Sequence, residues 1–140
     1  PLYQDELVVL TRSWERYRAR KNDDIVSWIL EEPVILREEG SATRKEALRL
    51  LAQTGVDISK LNVAAMMENQ ETIKRSVGSG MGISILSKLA AKEEIDSGKL
   101  LAFPLGETGG KRNINVVYDA GYPSLPAADK FIKTVKQMYL

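Results

Sequence analysis

The chain has 140 residues, room for one ordinary domain, and its 44% hydrophobic and 28% charged residues are enough apolar material to pack a core. With 20 Lys and Arg against 19 Asp and Glu, the net charge of +1 argues against gripping DNA or an anionic membrane by bulk electrostatics. The absence of Cys and His excludes a disulfide framework, thiolate chemistry, zinc sites of the usual type and Ser-His-Asp or Cys-His catalysis within these residues.

No apolar run approaches the roughly 20 residues that span a bilayer, and the amino terminus lacks a basic start or a signal-peptide core. A reducing cytoplasm is the expected location, with no membrane partner. Arg12, Arg16, Arg18, Arg20 and Lys21 form a local basic cluster. Glu15, Asp23 and Asp24 interrupt it, and it reads as a solvated loop and helix start.

In chain order, Glu6 to Leu10 (ELVVL) is an apolar, β-branched run predicting a buried strand. Asp23 or Asp24 suits the cap of a short helix carrying Ile25, Val26, Trp28 and Ile29. Pro33 ends that helix and opens a strand over Val34 to Leu36. Gly40, Ser41, Ala42 and Thr43 lead into a helix with Ala47, Leu48 and Leu51 on one face, and Gly55 stands where a left-handed cap belongs. Leu61 to Met66 predicts a third strand. Asn69 caps a helix turning Ile73 and Val77 inward, and Gly78 to Gly82 turns the chain into a fourth strand, Ile83 to Leu86. Ser87 opens a further helix closed by Gly98. Lys99 to Leu105 and Asn113 to Asp119 predict two more strands. Pro126 starts a helix whose Phe131, Ile132, Val135 and Met138 form one stripe. Alternating strands and helices on short loops predict an α/β domain with a largely parallel sheet.

The junction at Gly40 to Thr43 is the leading site candidate. Ligands of α/β sheets gather outside the carboxyl ends of strands, where helix amino termini offer free N–H groups and a positive dipole end to an anion. Ser41 and Thr43 add hydroxyls. Thr43 with Glu46 also fits a capping box that would serve only its own helix, and the pattern alone leaves both readings open. Asn69 repeats the geometry one unit later and is an N-cap first. The glycines at 78, 80 and 82 follow a helix and open a strand, the reverse of a dinucleotide loop, and so read as a helix end and a close backbone crossing. Glu31, Glu32, Glu38 and Glu39 read as solvated carboxylates, and Trp14 and Trp28 as packing residues. No nucleophile, base and oxyanion site come together; no catalytic residue, metal ligand or cofactor is expected.

Taken in order, these segments resemble the effector-binding domain of LysR-type transcriptional regulators. The resemblance rests on Glu6 to Leu10, Pro33 to Arg44, Glu71 to Ser84, Ser97 to Leu101 and Ala127 to Phe131. It implies a type 2 periplasmic-binding-protein-like fold, one nearly complete α/β lobe plus the carboxy-terminal strand and helix of the second lobe. Residues 1–5 would be a crossover and entry segment, residues 6–106 the second lobe, and residues 107–140 a crossover and return to the first lobe. It also implies a small, anionic effector held between lobes, with contacts from the loop of Gly40, Ser41, Ala42 and Thr43; Asn69, by its place at the next strand end and helix start, is the further candidate contact. DNA would be met only through an amino-terminal winged helix-turn-helix outside these residues, and the regulator would be a homodimer or homotetramer. Two departures stand out: Trp14, Glu15 and Arg16 replace a His-Pro-Leu type segment, and Ala42 replaces a hydroxyl or glycine. A transporter's solute-binding protein and a dehydratase-type enzyme lobe share the fold and are the alternatives. By the resemblance, the stripe from Phe131 to Met138 packs against the first lobe, and otherwise needs another partner or stays exposed.

Overall fold

The computed structural model describes residues 3–21, 23–105, 110–114 and 126–139. In chain order these form β1 (Tyr3–Arg12), α1 (Glu15–Arg18), two 3-10 turns (Ile25–Ser27 and Ile29–Glu31), β2 (Pro33–Arg37), α2 (Ala42–Gln53), a 3-10 turn (Ile58–Lys60), β3 (Asn62–Met67), α3 (Gln70–Gly78), β4 (Ile83–Ser87), α4 (Lys92–Asp96), β5 (Leu100–Pro104), β6 (Gly110–Ile114) and α5 (Pro126–Tyr139). The chain divides into two compact units, Glu6–Gly110, and Pro1–Asp5 with Lys111–Leu140.

The sheet runs in the order β3-β2-β4-β1-β5, with β6 pairing β1. It is mixed, a correction to the expected largely parallel sheet. β2 is parallel to β3 and β4, whereas β1 is antiparallel to β4 and β5. The physical reason is connection: β2, β3 and β4 are joined by helical crossovers, the connection that parallel strands require, whereas β1 meets both β4 and β5 antiparallel.

Apolar burial explains the strand order. β1 sits between β4 and β5, and Leu7, Val8, Val9 and Leu10 are all buried, so the run is continuously apolar instead of alternating. Its odd residues Leu7 and Val9 pack with Val34, Leu36, Ala47, Leu51, Trp28 and Phe103 on one face. Val8 and Leu10 pack with Ile35, Ile73, Val77, Leu86 and Ala91 on the other. Thus α2 covers one face and α3 the other.

The helix ends follow their sequence signals. α2 closes through Gly55 (φ +98), whose N–H donates to Ala52 O while that of Val56 donates to Leu51 O. α3 closes in the same pattern: Gly80 N–H donates to Val77 O at 3.0 Å and Met81 N–H to Ser76 O at 3.1 Å, with Gly80 at φ +87. Gly82 serves the close crossing, because a Cβ there would lie 2.6 Å from the Pro33 carbonyl oxygen.

Other local expectations need correction. The expected helix over Ile25 to Ile29 is two 3-10 turns, the first capped by Asp24 Oδ1 accepting from Val26 N–H at 3.1 Å. Pro33 follows within a few residues and leaves no room for a full α-helical turn series. The helix expected to open at Ser87 begins at Lys92. Ser87 is the last residue of β4, and its hydroxyl accepts from Ala90 N–H at 3.1 Å, capping a turn. Most of the strand expected at Asn113 to Asp119 lies outside the described residues; β6 ends at Ile114. On α5, Phe131 and Met138 are exposed and Ile132 and Val135 intermediate.

Candidate functional site

The end of β2 is where the chain prepares a helix amino terminus. Glu38 to Ser41 is a β-turn in which Ser41 N–H donates to Glu38 O at 3.1 Å. Gly40, at its third position, has φ +90, the backbone state that a type II turn demands there. A Cβ on Gly40 would meet nothing within 4 Å, so the glycine answers to backbone angle and not to a crowded neighbour.

The turn delivers Ser41 as the N-cap of α2, its hydroxyl oxygen accepting from Arg44 N–H at 3.3 Å. This corrects the capping-box expectation: Thr43 is the second residue of α2, within its first turn, because the Glu38–Ser41 turn, not the Thr43/Glu46 spacing, fixes where α2 starts. Ser41 is buried, and its hydroxyl proton remains available to donate once its oxygen has capped the helix. Helix geometry leaves the Ala42 N–H without an intrahelical acceptor, and Ala42 is exposed.

Charge around this terminus is organised. Arg44 Nη1 donates to Arg37 O at 3.0 Å and contacts Met66 Sδ at 2.9 Å, fastening α2 across the ends of β2 and β3. Arg37 makes a two-pronged pair with Glu38, at 3.0 Å and 3.3 Å, and that pair holds the Glu38 carboxyl below its ordinary value. The Glu38 carboxylate stays ionised with its charge compensated by Arg37, while Arg44 and the helix dipole supply positive potential at the terminus.

Asn69 stands at the end of the neighbouring strand. Arg37 pairs with Met67 in the β2/β3 register, which sets the two carboxyl ends side by side. Asn69 Oδ1 caps α3, accepting from Glu71 N–H at 2.8 Å and Thr72 N–H at 3.4 Å, and the residue is exposed. The loop after β2 leads to α2 on one face of the sheet and the loop after β3 to α3 on the opposite face. Such diverging loops form the crevice in which α/β sheets hold ligands. Gly40, Ser41, Ala42 and Thr43 therefore share one turn, and Asn69 lies at the adjacent strand end.

Two polar clusters were not visible in the sequence. Glu32, expected to be solvated, is buried. It accepts from Arg16 Nη1 at 2.7 Å, Tyr17 OH at 2.9 Å and Arg20 Nη1 at 3.4 Å. Burial, with the hydrogen bond to Glu32 next, pushes the Tyr17 phenol up to about 12. The guanidinium groups of Arg12 and Arg16 lie over the Trp14 ring, which stacks on Tyr17. The basic cluster is thus partly knitted into the core, not only solvated. The second cluster is Lys74, whose ammonium reaches Glu71 at 2.8 Å, Glu94 at 2.9 Å and the Ala90 carbonyl at 2.8 Å. Burial alone would lower the Lys74 pKa, but the two carboxylates outweigh it and hold it above its ordinary value. Among the described residues no group of three or more metal-ligating side chains comes together, and no helix is long and apolar enough to cross a membrane.

A three-layered helix-sheet-helix unit with capped helix starts at its parallel strand ends is the architecture of a small-ligand-binding lobe. The family model for the LysR substrate binding domain matches residues 1–139, and the chain belongs to that family. It is 30% identical over 131 residues to the RuBisCO operon transcriptional regulator of Acidithiobacillus ferrooxidans, covering 94% of this chain and 41% of that protein. An HTH-type transcriptional regulator of Methanocaldococcus jannaschii is 32% identical over 112 residues, covering 80% of this chain and 38% of that protein. The chain thus spans about two fifths of these relatives. Among solved structures, the CcmR regulatory domain of Synechocystis, in complex with 2-PG, superposes with a TM-score of 0.75 at 26% identity, covering 99% of this chain and 65% of that one. HinK, a LysR family regulator of Pseudomonas aeruginosa, shares the fold with a TM-score of 0.71 at 19% identity, covering 99% of this chain and 46% of that one. The fold is therefore that of LysR regulatory domains, type 2 periplasmic-binding-protein-like.

Proposed function

We propose that this chain is the effector-sensing part of a DNA-binding transcription regulator, and that it recognises a small anionic metabolite at the amino terminus of α2. In this reading Gly40 shapes the turn, Ser41 and Thr43 donate hydroxyl hydrogen bonds, the Ala42 N–H points to the anion, and Asn69 adds an amide from the neighbouring strand end. The observation that carries the reading is the Glu38–Ser41 turn. It presents a buried hydroxyl and a helix amino terminus at the carboxyl end of β2, with Arg44 beside it and Glu38 already paired to Arg37.

The unit Glu6–Gly110 acts as one lobe, and the segments Pro1–Asp5 and Lys111–Leu140 belong to the other. The ligand acts by binding one lobe arrangement more tightly than another, which shifts their populations. A homodimer or homotetramer passes that shift to winged helix-turn-helix domains elsewhere in the protein, in the cytoplasm and without catalysis. The names of the relatives and the CcmR complex with 2-PG support this reading.

The test is calorimetric titration of the complete regulator with 2-PG and a panel of small carboxylates and phosphate esters. At least one anion is expected to bind saturably, and the Ser41→Ala/Thr43→Ala double variant to bind it at least about tenfold more weakly. Unchanged affinity in the double variant would remove these residues from the site.

A further inference from the structure

A cavity separate from the α2 terminus lies along β5, at the end of the strand order opposite β3. A cavity of about 350 Å³ is lined by Leu101, Ala102, Phe103 and Pro104 together with Arg18 and Lys21. That volume lies at the lower end of the range for small-ligand pockets. Successive strand residues point to opposite faces, so a cavity touching four in a row must lie along the strand's edge. β5 is the end strand of the sheet order, with β1 as its neighbour through the Val8 to Arg12 register.

The lining is chemically divided. Phe103 is buried and fixed by an edge-to-face contact with Trp28 at 5.4 Å, while Leu101 and Ala102 are half-buried, giving an apolar floor. Among the described residues the charged lining groups are two cations, Arg18 and Lys21. Arg18 is oriented by Glu15 at 3.2 Å and by the Ser13 carbonyl and hydroxyl at 3.0 Å and 2.8 Å. Among the described residues Lys21 makes no ion pair and no carboxylate lines the cavity.

We infer that this groove binds a small amphipathic anion, a carboxylate carried on an aromatic or short alkyl body, with the apolar body on Leu101, Ala102 and Phe103 and the carboxylate at Lys21 and Arg18. An added peptide strand suits the groove less well. Pro104 supplies no N–H at the end of this edge, and a proline and cations on an edge strand oppose further strand pairing. The site is separate from the α2 terminus and stands or falls independently of it.

The probe is 4-phenylbutyrate, with its neutral analogue 4-phenylbutanol, titrated into the full chain and followed by calorimetry and tryptophan fluorescence. Saturable binding of the acid is expected, with the alcohol about tenfold weaker. Lys21→Glu, an exposed change that leaves the core intact, is expected to weaken the acid at least about tenfold and leave the alcohol unchanged. Ala102→Trp is expected to fill the groove and abolish both, and Ser41→Asp to change neither. The inference is overturned by no saturable binding, by an acid affinity unmoved by Lys21→Glu, or by capture of an acidic extended peptide in place of the small acid.

Discussion

Replacing Gly82 with alanine is a sharp test of the packing between β2 and β4. The new methyl would lie 2.6 Å from the Pro33 carbonyl oxygen and 3.2 Å from its carbon. Comfortable non-bonded contact needs about 3.5 Å or more. Both obstructing atoms are backbone, and the Val34/Ile83 pairing immediately beyond fixes the two strands in register, so no rotamer change relieves the contact. Overpacking of this kind costs about 1–3 kcal/mol. Because Gly82 is not among the glycines at positive φ, alanine recovers about 0.4–1 kcal/mol by restricting the unfolded chain. The net expectation is a loss of about 1–2 kcal/mol, read as a lower urea midpoint at unchanged slope. Gly98→Ala provides the contrast: φ is +79 with nothing within 4 Å, so it should lose only the left-handed penalty of about 1 kcal/mol. Gly80→Ala combines φ +87 with a contact of 2.7 Å to the Trp14 ring and should lose more than Gly98→Ala. If Gly82→Ala equals or exceeds the parent in stability, the close crossing at Pro33 is not where this account puts it.

Glu32→Gln should cost about 1.5–3 kcal/mol in urea unfolding, since it removes charge-assisted bonds from Arg16 and Tyr17 to a buried carboxylate; a loss below about 0.5 kcal/mol would mean the cluster is incidental. Tyr17 should resist ionisation until pH about 12 in an ultraviolet titration compared with Tyr17→Phe. Its folded value is raised, so its contribution to stability is complete below the ordinary 10.0 and fades as pH climbs through about 12. The Lys74 ammonium is also held above its ordinary 10.5, so the stability difference between the parent and Lys74→Met should be full below that pH and shrink above it. The Glu94 carboxyl is held low by Lys74, so Glu94→Gln should flatten the loss of stability that the parent shows as pH falls below its ordinary 4.5. A pH-independent difference in either case would contradict the Lys74–Glu94 pairing.

Much of the fold was legible because it depends on neighbours in the chain. The continuous apolar run at Leu7 to Leu10 announced a strand buried on both faces, and Asn69, Gly55 and Gly80 announced helix ends by residue type alone. Strand direction was not legible, because periodicity reports which face a side chain takes and says nothing of how distant strands pair. Glu32 was misjudged for a similar reason: its partner Arg16 lies 16 residues away, and only the packing of two loops joins them. At the α2 terminus, Ser41 and Thr43 are both good caps on paper. What separates them is the Gly40 turn, whose hydrogen bond from Ser41 to Glu38 starts the helix one residue after Ser41.

The central claim, an anion at the α2 amino terminus, is tested most directly by Ser41→Asp. Aspartate caps a helix about as well as serine and adds a favourable charge at the dipole's positive end, so the melting temperature of the regulator should hold or rise. The same carboxylate occupies the place assigned to the ligand's negative charge. Calorimetry of the complete regulator with the anion that binds the parent should show affinity falling by about a hundredfold. Retained affinity in a fully folded Ser41→Asp protein would contradict the account and move the effector elsewhere.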